Sequence, residues 1–164
     1  MAEWYGSRVR DTAFDEADFF GAIEQSGARA LLIGRRALIV LGMPVLTADY
    51  DLWLHMDDVE KLNGALEPLE LHANHPPAVA RARGRYVLEN DEHVDVLVAR
   101  SRSTKDGVGL TFDDAWSRKQ RYALRGVTLW LPSLEDLIVT KRWAMRPHDQ
   151  DDIQFLEVLR KGGS

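Results

Sequence analysis

The spacing of hydrophobic and polar positions changes several times along the chain, and each change marks an element. From Asp11 to Gln25 the apolar residues Phe14, Phe19, Ala22 and Ile23 recur near helical spacing, and Gly27 follows as a stop, which predicts a first helix. AlaLeuLeuIle at 30–33 is a short unbroken apolar run of the buried-strand type, ended by Gly34. ArgArgAlaLeuIleValLeuGly then reads as a helix closed near Gly42 and Pro44. Residues 48–55 predict a second strand. MetAspAspValGluLysLeuAsnGlyAlaLeu follows with an acidic first turn and a helical pattern.

Residues 84–89 and 92–99 predict two strands joined as a hairpin through AsnAspGlu, and 100–109 is a polar, glycine-bearing loop. The stretch 73–85 carries no periodicity strong enough to predict more than a loop. A short helix near 112–119 and strand-like pieces at 122–124 and 127–131 follow. Ser133 is placed to cap a further helix, with Asp136 at the spacing of a capping box. Pro147 breaks that helix, and AspGlnAspAspIleGlnPheLeuGluValLeu starts another. Strands and helices alternate without a repeat, a low-complexity tract or a linker. The expected fold class is therefore α/β or α+β, a mixed sheet with helices packed on it. A length of 164 residues suits one domain spanning 1–164, with C-terminal helices over 133–161.

Composition narrows the chemistry. With 45% hydrophobic and 29% charged residues, the chain has the makeup of a soluble globular protein. The lack of cysteine excludes disulfides, thiolate metal sites and cysteine nucleophiles, and suits a cytoplasmic protein. The N-terminus lacks the basic start and apolar run of a signal peptide, and no later run is long enough to span a bilayer, so no membrane partner is expected. A net charge of −5 argues against a surface that grips nucleic acid throughout. The basic clusters Arg35 and Arg36, Arg81, Arg83 and Arg85, and Arg100, Arg102 and Lys105 each read, taken alone, as solvated surface.

The second predicted strand stands apart, because TADYDLWLH places Asp49 and Asp51 two positions apart. Alternation puts both carboxylates on one face, with Tyr50, Leu52 and Leu54 on the other. Adjacent, partly buried carboxylates raise each other's pKa, and a divalent cation removes that objection; Mg²⁺ favours hard carboxylate oxygen together with substrate phosphates. Asp95, flanked by Val94 and Val96 in another strand, is the candidate for a third carboxylate. The strand–Gly34–helix turn offers free backbone N–H groups suited to phosphate. Lys141 is a further candidate phosphate contact, competing with an exposed helix face. Arg146 and Asp149 fit a role at the junction of the last two helices. His72 and His75 read as loop residues, His55 as an edge residue near the acidic strand, and Trp53 as a core residue or a platform for a base. Ser101 and Ser103 lack a recognisable base.

GlyArg at 34 and 35, thirteen intervening residues from Arg36 to Ala48, AspTyrAsp at 49–51 and ValAspVal at 94–96 together resemble the signature of the nucleotidyltransferase superfamily, whose fold is shared with DNA polymerase β. Thr47 matches a frequent feature two residues before the first aspartate. ProSerLeuGluAspLeuIle, Lys141 and ArgProHisAspGlnAspAspIle resemble the C-terminal helices of small bacterial members, including those related to abortive-infection and toxin-antitoxin proteins. The resemblance covers about Arg29 to Leu159.

It implies the nucleotidyltransferase fold, with Asp49 and Asp51 as ligands of Mg²⁺ or Mn²⁺ and Asp95 as third ligand and proton acceptor. Gly34, Arg35, Arg36, Thr47 and Lys141 would form the nucleotide-binding part. A nucleoside triphosphate would be the substrate, and an RNA end, a protein or a small molecule the acceptor. A toxin or antitoxin partner is also implied. Arg35 stands where the superfamily usually has glycine or serine, and Val45 where it often has arginine. Those two departures define the alternative, a catalytically degenerate copy that binds nucleotide or a partner protein.

Overall fold

The computed structural model describes residues 14–143 and 146–162. Helix α1 spans Glu16–Ser26; the Asp15 side chain caps it by accepting from the Asp18 N–H, and Gly27, at φ 74°, ends it in the left-handed region. The expected start at Asp11 lies outside the described residues. Strand β1 (Ala30–Ile33) leads directly into α2 (Gly34–Val40). Strand β2 is Asp49–Leu54, followed by a 3₁₀ turn at Met56–Asp58 and α3 (Val59–Leu66).

A second 3₁₀ turn at Glu67–Leu69 precedes β3 (His72–Ala73), α4 (Pro77–Arg83), β4 (Arg85–Glu89) and β5 (His93–Val98). Helix α5 (Phe112–Ser117), the hairpin β6 (Gln120–Leu124) and β7 (Val127–Leu131), and the helices α6 (Leu134–Arg142) and α7 (Asp149–Gly162) complete the described elements.

The mixed α/β architecture is as expected. Five strands form one sheet in the order β1-β2-β5-β4-β3, and β6 and β7 form a separate pair. Within the larger sheet β2 and β5 run parallel, while the remaining neighbours are antiparallel. The register sets Asp51 beside Asp95 and Asp49 beside His93. Elements β3 and α4 occupy the stretch expected to be loop. Pro77 in the first turn and Gly84, left-handed at φ 76°, bound α4 in the way helices are commonly bounded, but seven residues give too few turns for a period to stand out.

The two faces of β2 meet different partners. Tyr50 packs its ring against Phe14, Phe19 and Phe20 of the α1 side. On the other face Trp53 is wholly buried in edge contact with Phe112 and Trp143, and its indole N–H donates to Asp106. Trp53 is thus a core residue, and the reading of it as a base platform is corrected. His55 lies past the end of β2 and is buried, its Nδ1 accepting from the Asp57 N–H to cap the 3₁₀ turn. Asp136 bonds to Arg118 at 2.9 and 3.0 Å, while Ser133 caps α6 as expected by accepting from the Asp136 N–H.

The entry to β2 is tied down by Arg36. Its guanidinium lies 4.1 Å from the Tyr50 ring centroid, donates to the Thr47 carbonyl at 2.7 Å, and reaches Glu16 at 3.4 Å; the Tyr50 hydroxyl donates to the same Glu16 carboxylate at 2.6 Å. Tyr50→Phe removes one charge-assisted bond and keeps the ring contacts, so it is expected to cost about 1–2 kcal/mol, read as a lower midpoint in urea unfolding.

Candidate active site

Four chain segments converge beside the carboxyl end of β1. Ile33 and Gly34 come from the β1–α2 junction, Asp51 from β2, Thr140 and Lys141 from α6, and Arg146 and Asp149 from the approach to α7; together they line a cleft of about 110 Å³. A larger apolar cavity of about 150 Å³ lies under α1 and the β6–β7 hairpin, lined by Leu32, Leu52, Trp116 and Trp130. Leu52 points away from Asp51, so that cavity is on the opposite face of the sheet and holds none of the candidate acids.

Alternation along β2 and the parallel register with β5 bring Asp49, Asp51 and Asp95 to one face, as the sequence led one to expect. Asp49 is exposed, while Asp51 and Asp95 are half-buried. Burial, and then the charges of Asp95 and Asp49, push the Asp51 carboxyl up to about 6; Lys141 and Arg146 pull in the other direction without offsetting it. Asp95 has a further neighbour in His93, with Nε2 3.3 Å from its Oδ1.

Gly34 makes room for Asp51. A Cβ at this position would lie 2.3 Å from Asp51 Oδ2, and φ is 71°. Glycine is thus required twice over, by the backbone conformation and by the carboxylate that crosses in front of it. The N-terminal end of α2 carries no side-chain cap.

The basic residues assigned to the nucleotide have other partners in this structure. Arg35 donates through Nε and Nη2 to Asp152 at 3.3 and 3.2 Å. Arg36 serves the β2 entry, and the Thr47 hydroxyl accepts from the Asp49 N–H at 3.2 Å. Lys141 is buried in the cleft wall, with Nζ 2.7 Å from Asp152 Oδ2 and 3.6 Å from Asp149 Oδ1. Arg146 and Asp149 do form the junction before α7, because the Arg146 N–H donates to Asp149 Oδ2 at 2.7 Å. That bond, with the charges of Lys141 and Arg146, outweighs burial and holds the Asp149 carboxyl below its ordinary range.

Asp152 carries no sequence signal as the partner of Arg35 and Lys141, nor Asp149 as a neighbour of Lys141. Their i, i+3 spacing at the start of a helix was visible, but which cations they meet depends on how α6 and α7 pack.

Three acids on one face are hard oxygen donors, and the raised Asp51 carboxyl marks a surplus of negative charge that a divalent cation would relieve. The donor chemistry of the trio suits a metal of the Mg²⁺ type, although the carboxylate oxygens of all three do not lie within 4.8 Å of one another. Among the described residues, the three possible ligands with atoms within 4.8 Å of one another are instead His148, Asp149 and Asp152. The Lys141 ammonium already serves as the cation of that second group, which makes it the weaker metal candidate.

No family model matches the chain, and no curated protein matches it by sequence. Solved structures do match. The antibiotic-resistance factor ANT(2'')-Ia in solution superposes with a TM-score of 0.60 at 14% identity, over 88% of this chain and 86% of that one. Its crystal structure in complex with adenylyl-2''-tobramycin gives 0.59 at 16% identity, over 88% and 92%. A Thermotoga maritima protein, TM1012, described as a candidate nucleotidyltransferase, gives 0.52 at 14% identity, over 97% and 92%. The fold of this chain is that of the nucleotidyltransferases.

Proposed function

We propose that this chain is a metal-dependent nucleotidyltransferase that moves a nucleoside monophosphate from a nucleoside triphosphate to a hydroxyl of a small molecule. The observation that carries the reading is the alignment of Asp49, Asp51 and Asp95 on one sheet face at the mouth of the β1–Gly34–α2 turn, with Asp51 held near a pKa of 6 by its neighbours and its burial. A small acceptor is favoured over an RNA end because the chain carries a charge of −5. The adenylylated antibiotic bound to ANT(2'')-Ia gives the same direction.

Asp49, Asp51 and Asp95 would hold Mg²⁺ or Mn²⁺. Such an ion, when bound, neutralises charge developing on the transferring group and its leaving oxygen. The acceptor oxygen forms a bond to the α-phosphorus, the bond to pyrophosphate breaks, and the acceptor proton passes to the Asp95 carboxylate. Lys141 and Arg146 line the cleft with Asp51 and supply positive charge for the phosphate chain. Thr47 and Arg36 act earlier in the chain of causes, by fixing the strand entry that aims Asp49.

The test is incubation with each α-³²P nucleoside triphosphate, Mg²⁺ or Mn²⁺, and a mixture of hydroxyl-bearing metabolites and aminoglycosides. Label is expected on a small molecule, with stoichiometric release of pyrophosphate, and is expected to vanish in Asp95→Asn. Calorimetry that detects no triphosphate binding with either ion overturns the reading. Binding without transfer to any acceptor supports instead a degenerate nucleotide-binding protein, the alternative to which the departures at Arg35 and Val45 point.

A further inference from the structure

Asp152 is wholly buried, yet it receives hydrogen bonds from two cations that arrive from opposite ends of the chain. Lys141 belongs to α6 and sits with Asp51 in the cleft wall, while Arg35 follows Gly34 in the turn that opens the same cleft. A buried carboxylate must be paired, but Lys141 suffices for that. Within the α6–α7 junction, Lys141 and Arg146 already balance Asp149 and Asp152, two charges against two. Arg35 adds a third cation to this group, beside a cleft that Asp51 also lines. Its contacts at 3.2 and 3.3 Å are longer than the 2.7 Å of Lys141, and its side chain remains 28% exposed.

We propose that Asp152 is a positioning residue for the phosphate chain of the nucleotide: it holds Arg35, next to Gly34 of the cleft, beside Lys141 of the cleft wall, so that both reach an incoming polyphosphate together. The inference rests on the functional reading above. Two cations without a common counter-ion would repel each other and swing apart; Asp152 supplies that counter-ion and leaves donors over. An ammonium has three N–H groups and a guanidinium five, and Asp152 takes one and two of them. A polyphosphate can accept from the rest without breaking the cluster. The same clip fastens α7 to α2, so the last helix becomes part of the nucleotide site without touching the base.

Titration of the full chain with inorganic triphosphate and Mg²⁺ isolates the phosphate arm from both base and transfer. Asp152→Asn is expected to weaken this binding roughly tenfold, the scale of one charge-assisted bond lost. In label transfer it should raise KM for the nucleotide by a similar factor with kcat changed much less, and Asp152→Glu should recover part of the loss. Arg35→Gln approaches the same contact from its half-exposed side and keeps the arm open if Asp152→Asn fails to fold; it too should weaken binding. The double variant should be no weaker than the worse single, since both act through one cluster.

Wild-type affinity in folded Asp152→Asn, or in Arg35→Gln, overturns the proposal. So does a loss that follows melting temperature alone and is not recovered by Asp152→Glu. If the natural chain itself binds no triphosphate, the functional reading and this inference fall together, a result distinct from natural binding with indifferent variants.

Discussion

Asp51→Asn is expected to reduce nucleotidyl transfer by roughly 10²- to 10³-fold or more, the scale seen when one group that stabilises transition-state charge is removed, while making the metal-free fold more stable. The two effects share a cause. Asp51 is pushed from 3.8 to about 6 by burial and by Asp95 and Asp49, so between those values the folded chain holds a proton that the unfolded chain has released. Stability contributed by this group is therefore fully present below about pH 4, declines as pH rises toward 6, and stays lost above it. The cost at pH 8 is on the order of 3 kcal/mol.

The amide has the shape of the carboxyl and none of its charge, so the variant should escape that cost. Melting curves at pH 5 and pH 8, with and without Mg²⁺, check both halves. The natural chain should gain stability from Mg²⁺ at pH 8 and lose most of that gain at pH 5. The variant should melt higher than the natural chain without Mg²⁺ and respond little to it. Undiminished label transfer by Asp51→Asn would remove the carboxylate from the mechanism.

Gly34→Ala is expected to damage fold and site together. A left-handed backbone costs a residue bearing Cβ about 1–2 kcal/mol, and the added methyl would stand 2.3 Å from Asp51 Oδ2. Relief of that overlap requires Asp51 or the β1–α2 turn to move, at a further cost of about 1–3 kcal/mol. The sum, roughly 2–5 kcal/mol, should appear as a lower urea midpoint. Transfer should fall even under conditions where the variant remains folded, because Asp51 can no longer lie across the turn. Gly84→Ala serves as the comparison: it carries the same sign of φ, at 76°, but a Cβ there would meet its nearest neighbour at 3.8 Å. It should show the backbone cost alone. Equal losses in the two variants would mean that the contact with Asp51 contributes nothing.

Much of this was legible in the chain itself, for reasons that differ from residue to residue. Asp49, Asp51 and Asp95 could be read because alternation along a strand is fixed by the backbone, and an acid between valines has few structural explanations. Gly34 could be read because a strand meeting a helix through glycine is a local event. Helix α4 escaped, because seven residues between Pro77 and Gly84 complete too few turns for a period to be recognised. The partners of Arg35 and Lys141 escaped for another reason. Lys141 lies 11 positions from Asp152 and Arg35 lies 117, so neither pairing is encoded in a local pattern. Trp53 was legible as a large apolar side chain but not as an inaccessible one; that depends on Phe112 and Trp143 closing over it.

The parallel pairing of β2 with β5 also bears on how the chain reaches its native state. Asp51 and Asp95 become neighbours through a pairing that leaves α3, β3, α4 and β4 in the loop it closes, so the contact that brings them together is non-local and slow to form. A rise in refolding rate when the pH is lowered toward 5 would place β2–β5 association at the barrier; a change confined to unfolding would place it after.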